Sequence, residues 1–267
     1  MQKQKKIVDA SANRILNCVP SQGVEEDWKM STALNAGVLA SPRALPTSKD
    51  LREAWWKIGD QKDTGSCVGW AAADSVVRWH LVKNGRLDQD ELLSVRYIWM
   101  AAKETDTFTS RPTTFIESDG TSLKAALDIA RKYGVVIDEL LPFDTGKLYK
   151  DSVSTFYATA SNRRISSYFN LGTDLDDWRQ WLHLKGPILT RLNVDDTWDN
   201  ATKTKGVLRT YHPQTTRGGH AVALVGYTST RFIVRNSWGL AWGDQGFAYA
   251  TNAYAKAAFD EAYGIIL

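Results

Sequence analysis

In the stretch 66–85, SCVGWAAADSVVRWHLVKNG, apolar side chains fall at Val68, Ala72, Val76, Val77, Trp79 and Leu81, on more than one face of a helix. A helix patterned this way is mostly buried. Ser66 is placed to cap its N-terminus, and Asn84-Gly85 stop it. Helical periodicity returns at 91–104 (ELLSVRYIWMAAKE), at 121–133 (TSLKAALDIARKY, closed by Gly134) and at 174–184 (DLDDWRQWLHL). The second half otherwise reads in short apolar or alternating runs broken by glycine: GPILTRLNV, GGHAVALVGYTSTRFIVRNSWG and GFAYATNAY. Such runs predict antiparallel strands. Residues 1–44 fit neither pattern, being polar, irregular and interrupted by Pro20, Gly23, Gly37 and Pro42. The pattern predicts an α+β protein with a helical lobe (45–155), a β-rich lobe (156–267), a cleft where they meet, and an N-terminal extension of 44 residues.

Composition narrows the function classes. The net charge of +3 and the single short basic run KQKK at 3–6 give no footprint for nucleic acid. No segment approaches the roughly 18 apolar residues of a membrane span, and the N-terminus lacks the apolar stretch of about 7–15 residues of a signal peptide. With Met1 as the start, a cytoplasmic location is expected. Two cysteines, Cys18 and Cys67, make no disulfide framework and no CxxC metal pair, so neither metal nor cofactor is expected. Eleven tryptophans supply core volume before they suggest a binding platform.

Cys67 sits where the turn DTGS meets a helix. Position alone allows two readings. One is a small buried hydrophobe; the other is a thiolate stabilised by the unpaired N–H groups and positive dipole end of a helix N-terminus. Acyl transfer by a thiolate also needs a base, a group to hold that base, and donors for the oxyanion. Of the four histidines, His80 and His183 fall in predicted helices among tryptophans and His212 in a loop before Pro213. His220 opens a strand behind Gly218-Gly219, and sixteen residues later Asn236 ends the next strand. Its amide oxygen could accept the imidazole N–H and fix the tautomer.

These residues resemble the papain family of cysteine peptidases. Six stretches match in order: LPTSKDLRE (45–53), DQKDTGSCVGW (60–70), DGTSLKAALDIARKYGVVIDELLPFD (119–144), GPILTRLNV, GGHAVALVGY and RNSWGLAWGDQGF. HAVxxVGY followed by NSWGxxWGxxGF is the specific part. The resemblance implies a papain-like two-lobe fold without disulfides, as in a bacterial-type branch. It implies Cys67 as nucleophile, His220 as base and acid, Asn236 as its orienter, and Gln61, six residues before the cysteine, as an oxyanion donor beside the Cys67 N–H. Trp238 would shield the His220–Asn236 bond. Asp119, Gly120, Thr121, Gly218, Gly219 and Trp242 would border substrate, and the main specificity pocket would be floored within 255–263. Two departures leave the cleft walls open: Val68 stands where the family usually has tryptophan, and Gly219 where it often has Asp or Asn.

The implied activity is endopeptidase hydrolysis of a peptide or protein substrate through a covalent acyl-enzyme. The same centre would also serve an acyl transferase or deamidase, and the fold alone would serve a non-catalytic binding module. The extension carries two apolar patches, Ile15-Leu16-Cys18-Val19 and Leu34-Val38-Leu39. It reads either as a mobile tail or outer strap, or as a segment across the cleft mouth that inhibits the enzyme from within its own chain.

Overall fold

The structure is a computed structural model and describes residues 14–40, 44–106, 111–144 and 148–267. The basic run at 3–6 lies outside the described residues. Among the described residues eight strands form one sheet: β1 (Lys49–Asp50), β2 (Ser167–Asn170), β3 (Ile188–Val194), β4 (Val207–Leu208), β5 (Gly218–Tyr227), β6 (Arg231–Arg235), β7 (Phe247–Thr251) and β8 (Phe259–Ile266). Their order is β2-β8-β3-β5-β6-β7-β4, with β1 added to β5. All pairs are antiparallel except β4 with β7.

β5 explains the unbroken apolar run HAVALVGY. Every residue from Gly219 to Tyr227 is buried, because the helix beginning at Cys67 covers the strand and the helix Leu175–Leu184 packs on it too. A strand covered on both faces loses its polar alternation.

The long buried helix differs from the expected one at two points. It runs from Cys67 to Lys83, but Trp70–Val77 is wound as a π-helix between ordinary α-helical ends. Ser66, expected to cap it, makes no side-chain cap. Its hydroxyl instead pairs with the Thr64 hydroxyl at 2.7 Å. The first N–H groups of the helix therefore remain uncapped by side chains, a useful property beside an anion.

Other helices start where side-chain caps dictate. Ser94 accepts from Tyr97 N–H, so the helix spans Val95–Thr105 rather than beginning at 91. Ser122 caps Leu123–Lys132, and Asp174 caps Leu175–Leu184. The expected strand GFAYATNAY is split: Thr251 ends β7 and accepts from Tyr254 N–H, starting the helix Asn252–Ala258. Among the described residues no helix is long and apolar enough to cross a membrane.

The extension is part of the fold. Met30–Asn35 is a short helix, and Met30, Ala33 and Leu39 are buried in the common core.

Candidate active site

β5 and β6 form an antiparallel pair in which Ala223 faces Arg235. The start of β5 therefore lies beside the end of β6, which brings His220 next to Asn236. His220 Nε2 and Asn236 Oδ1 are 2.8 Å apart, both residues fully buried. Asn236 can only accept through that oxygen, so Nε2 carries the proton and Nδ1 is left as the basic nitrogen. Nδ1 is buried, makes no hydrogen bond of ordinary length and angle, and faces the Cys67 thiol.

Around the imidazole stand three indoles. Trp238 lies tilted over His220 with ring centroids 5.0 Å apart, and Trp198 meets it edge-on at 5.5 Å. Trp242 stacks on Trp198 at 4.9 Å and donates to its carbonyl. This apolar wall keeps water from the His220–Asn236 bond and so strengthens it. Trp198 escaped the sequence reading, since nothing marks it apart from the other tryptophans. Trp242 departs from its expected place on the substrate wall. At 1% exposure it is packed behind Trp198, where a large indole gains most from burial.

Gln61 is fixed from two directions. Its N–H donates to the Ser237 carbonyl at 2.8 Å, and its side-chain oxygen accepts from the Ser237 hydroxyl at 2.9 Å. The amide nitrogen donates one proton to the Thr64 carbonyl at 3.0 Å and retains a second. Gln61 thus ties the loop before Cys67 to the residue after Asn236, holding the two halves of the site in register.

The cleft is filled by residues 14–19 of the extension. Cys18 N–H donates to the Gly219 carbonyl at 3.0 Å, and Val19 N–H to the Thr121 carbonyl at 3.2 Å. The Asn17 side chain donates to the Ser118 carbonyl. Arg14 anchors the other end, donating to Asp60 Oδ1 at 2.5 Å, the Lys62 carbonyl at 2.7 Å and the Trp238 carbonyl at 3.1 Å. The glycines here are needed for close approach. A Cβ on Gly120 would strike the Asn17 carbonyl, on Gly218 that of Leu16, and on Gly219 that of Cys18. Asp119 frames the same wall through its backbone, accepting the Trp99 indole N–H at 2.9 Å and crowding Gly65.

The Cys18 thiol, 3.9 Å from the Val19 carbonyl, lies beside the Cys67 thiol, and the contact has opposite effects on the two groups. Hydrogen bonding from Cys18 pulls Cys67 well below the ordinary thiol value; burial opposes this, and His220 adds to it. Burial, then the neighbouring Cys67, pushes Cys18 well above that value. The contact therefore favours the thiolate at Cys67 and the proton on Cys18. The Cys18 carbonyl is taken by Arg191, whose Nε donates at 3.0 Å. Among the described residues no carbonyl of the extension accepts from Gln61 or from the Cys67 N–H.

His80, expected to be packed or at the surface, is buried and driven down to about 4 by desolvation, with Lys185 nearby adding to it. It stays neutral and takes no part in the site.

A profile of the papain family cysteine proteases matches residues 45–263. The chain belongs to the papain family. It is 30% identical over 127 residues to cathepsin B-like CP2 of Giardia intestinalis, a match covering 43% of this chain and 41% of that relative's length. In fold it is similar to xylellain, a cysteine protease from Xylella fastidiosa, with a TM-score of 0.76 and 21% identity over 95% of this chain and 96% of that one. It is also similar to procathepsin B S9 from Trypanosoma congolense, with a TM-score of 0.68 and 17% identity over 97% and 89% of the two chains.

Proposed function

We propose that this papain-family cysteine protease is an endopeptidase held shut by its own N-terminal segment, residues 14–22, and active when that segment lifts. The observation that carries the reading is the position of Cys18, hydrogen-bonded to Gly219 with its thiol against Cys67. Nothing the size of a peptide can reach Cys67 while Cys18 is there. Likeness in fold to a procathepsin is in keeping with such a state.

With the segment out, a substrate backbone takes the same donors and acceptors: the Gly219 and Thr121 carbonyls and the Arg191 guanidinium. The Cys67 thiolate attacks the scissile carbonyl carbon. Negative charge develops on its oxygen between the spare Gln61 N–H and the backbone N–H of Cys67. That N–H is available because no side chain caps the helix. His220 takes the Cys67 thiol proton at Nδ1 as the thiolate forms, gives that proton to the departing amine, then takes one from the water that cleaves the acyl-enzyme. Asn236 holds the ring through both steps.

The test compares the full chain with a chain lacking residues 1–22 on a library of unstructured peptides under reducing conditions. The shortened protein should cleave with a KM at least several-fold lower, and Cys67→Ala should abolish cleavage in both. Gln61→Ala in the shortened protein should lower kcat by about 10²–10³. Equal kinetics for full and shortened chains would overturn the self-inhibited reading. Release of ammonia or amide exchange without peptide cleavage would overturn the endopeptidase reading.

A further inference from the structure

We propose that Cys18 and Cys67 form a reversible disulfide, through which oxidants lock the N-terminal segment over the active site and cellular thiols release it. This rests on the reading that residues 14–22 occlude the cleft. The chain has two cysteines, 49 positions apart; both are buried, and the bond from Cys18 N–H to the carbonyl of Gly219, the residue before His220, sets the Cys18 thiol beside Cys67. Blocking a cleft requires only bulk and backbone hydrogen bonds, which any small side chain at position 18 would allow. A thiol there adds chemistry that blocking does not need.

The surroundings favour that chemistry. When the segment is lifted His220 still favours the thiolate at Cys67, the form that reacts with oxidants. Arg191, only 7% exposed, bonds to the Cys18 carbonyl and places a positive charge near the Cys18 sulfur. The backbone bonds at Cys18 and Val19 return the segment to one register each time it closes, so the thiols meet again in the same arrangement.

The steps balance with a peroxide as oxidant. When the segment lifts, the Cys67 thiolate attacks one peroxide oxygen. An S–O bond forms and the O–O bond breaks; the sulfur is oxidised by two electrons to a sulfenic acid, and the peroxide is reduced to water after proton uptake. When the segment closes, the Cys18 sulfur attacks the Cys67 sulfur. The S–S bond forms, the S–O bond breaks, and the hydroxide leaves with the Cys18 proton as water. Two exchanges with an external thiol then return both cysteines to the reduced state, the external thiol ending as its own disulfide. The disulfide also spares Cys67 from further oxidation to the sulfinic acid, from which thiols cannot recover it.

The test treats the reduced full chain with a small excess of hydrogen peroxide, then blocks free thiols with iodoacetamide and digests with trypsin without reductant. Tryptic peptides 15–29 and 63–78 should appear joined, two hydrogens lighter than their sum. Peptidase activity should fall at least ten-fold and return with dithiothreitol. The Cys18→Ser protein, compared with its own reduced activity, should regain a smaller share with dithiothreitol than the unaltered chain as the peroxide is raised, because its sulfenic acid goes on to the sulfinic acid. Absence of the joined peptide, with Cys18→Ser recovering as fully as the unaltered chain, would overturn the proposal. The occlusion reading is judged separately, by the reduced chain lacking residues 1–22. Unchanged kinetics there together with a joined peptide would remove occlusion and leave the disulfide standing.

Discussion

The N-terminal extension is held in two different ways along its length. Residues 14–21 lie across the cleft on backbone hydrogen bonds and on Arg14, whose partner Asp60 is half exposed. Residues 24–39 are built into the body. Asp27, 3% exposed at its side chain, accepts from Tyr263 at 2.8 Å and Asn170 at 3.3 Å and pairs with Lys124 at 2.7 Å. Met30, Ala33 and Leu39 add apolar burial. Gly23, at φ +60°, joins the two parts in a conformation that costs other residues roughly 1–2 kcal/mol. On the proposed reading the first part is a latch and the second a strap, and only the latch would open without unfolding the protein.

Truncation should separate them most sharply. Burial of Met30 and Leu39 is worth roughly 1.5–3 kcal/mol each, a large share of a typical net stability of about 5–15 kcal/mol. A chain lacking residues 1–40 should melt roughly 10 °C or more below the full chain. A chain lacking only 1–22 should stay within a few degrees by calorimetry. Equal losses would mean that the latch is as integral as the strap.

Asp27→Ala should come next in effect. It leaves the Tyr263 hydroxyl and Lys124 without their buried acceptor and should cost about 3 kcal/mol, read as a shift of the urea midpoint at unchanged m-value. The accessibility of Cys67 to iodoacetamide should change little, because the latch does not touch Asp27. Arg14→Ala should do the reverse. It removes three hydrogen bonds from the latch, so alkylation of Cys67 should quicken roughly five- to ten-fold while the midpoint moves by less than about 1 kcal/mol.

The smallest effect is a difference of sign with pH. Burial raises Asp60, but the hydrogen bond from Arg14, with help from Lys62, more than offsets it and leaves the carboxyl below its usual value. A lowered carboxyl stabilises the closed latch above its free pKa, and that contribution fades as pH falls through the lowered value. Glu261, which accepts from Ser21 N–H at 2.8 Å, is raised by burial despite Ser21 and Arg191 nearby. Its contribution is full below its free pKa and fades as pH rises through the raised value. Amide exchange at Lys62, whose N–H donates to Asp60 at 2.8 Å, should therefore quicken towards acid, and exchange at Ser21 towards neutral pH.

The core of the site was legible because its chemistry demands particular side chains at particular strand ends. His220 behind two glycines and Asn236 after β6 are placed by one hairpin register. The glycines expected to border substrate lie against the chain's own backbone at Asn17, Leu16 and Cys18. The latch was harder to read. Its bonds at Cys18 and Val19 are backbone to backbone, which any sequence can make, so they leave no pattern of apolar residues. The helix after β7 was hidden because Thr251, Asn252 and Ala253 suit a strand's end as well as a helix's start. Ser66 misled for a related reason: a serine before a helix usually caps it, but Thr64 claimed its hydroxyl.

The bond from Arg191 to the Cys18 carbonyl also bears on how long the latch can serve. What it turns towards the nucleophile is a side chain, so closure offers the enzyme no bond to cut. On the proposed reading the segment would survive each cycle intact, and activation would consume nothing. Shut and open forms then interconvert within one molecule, in a ratio that dilution leaves unchanged. Such a protease can be switched on, spent on a passing substrate and returned to rest, all within one lifetime of the same polypeptide.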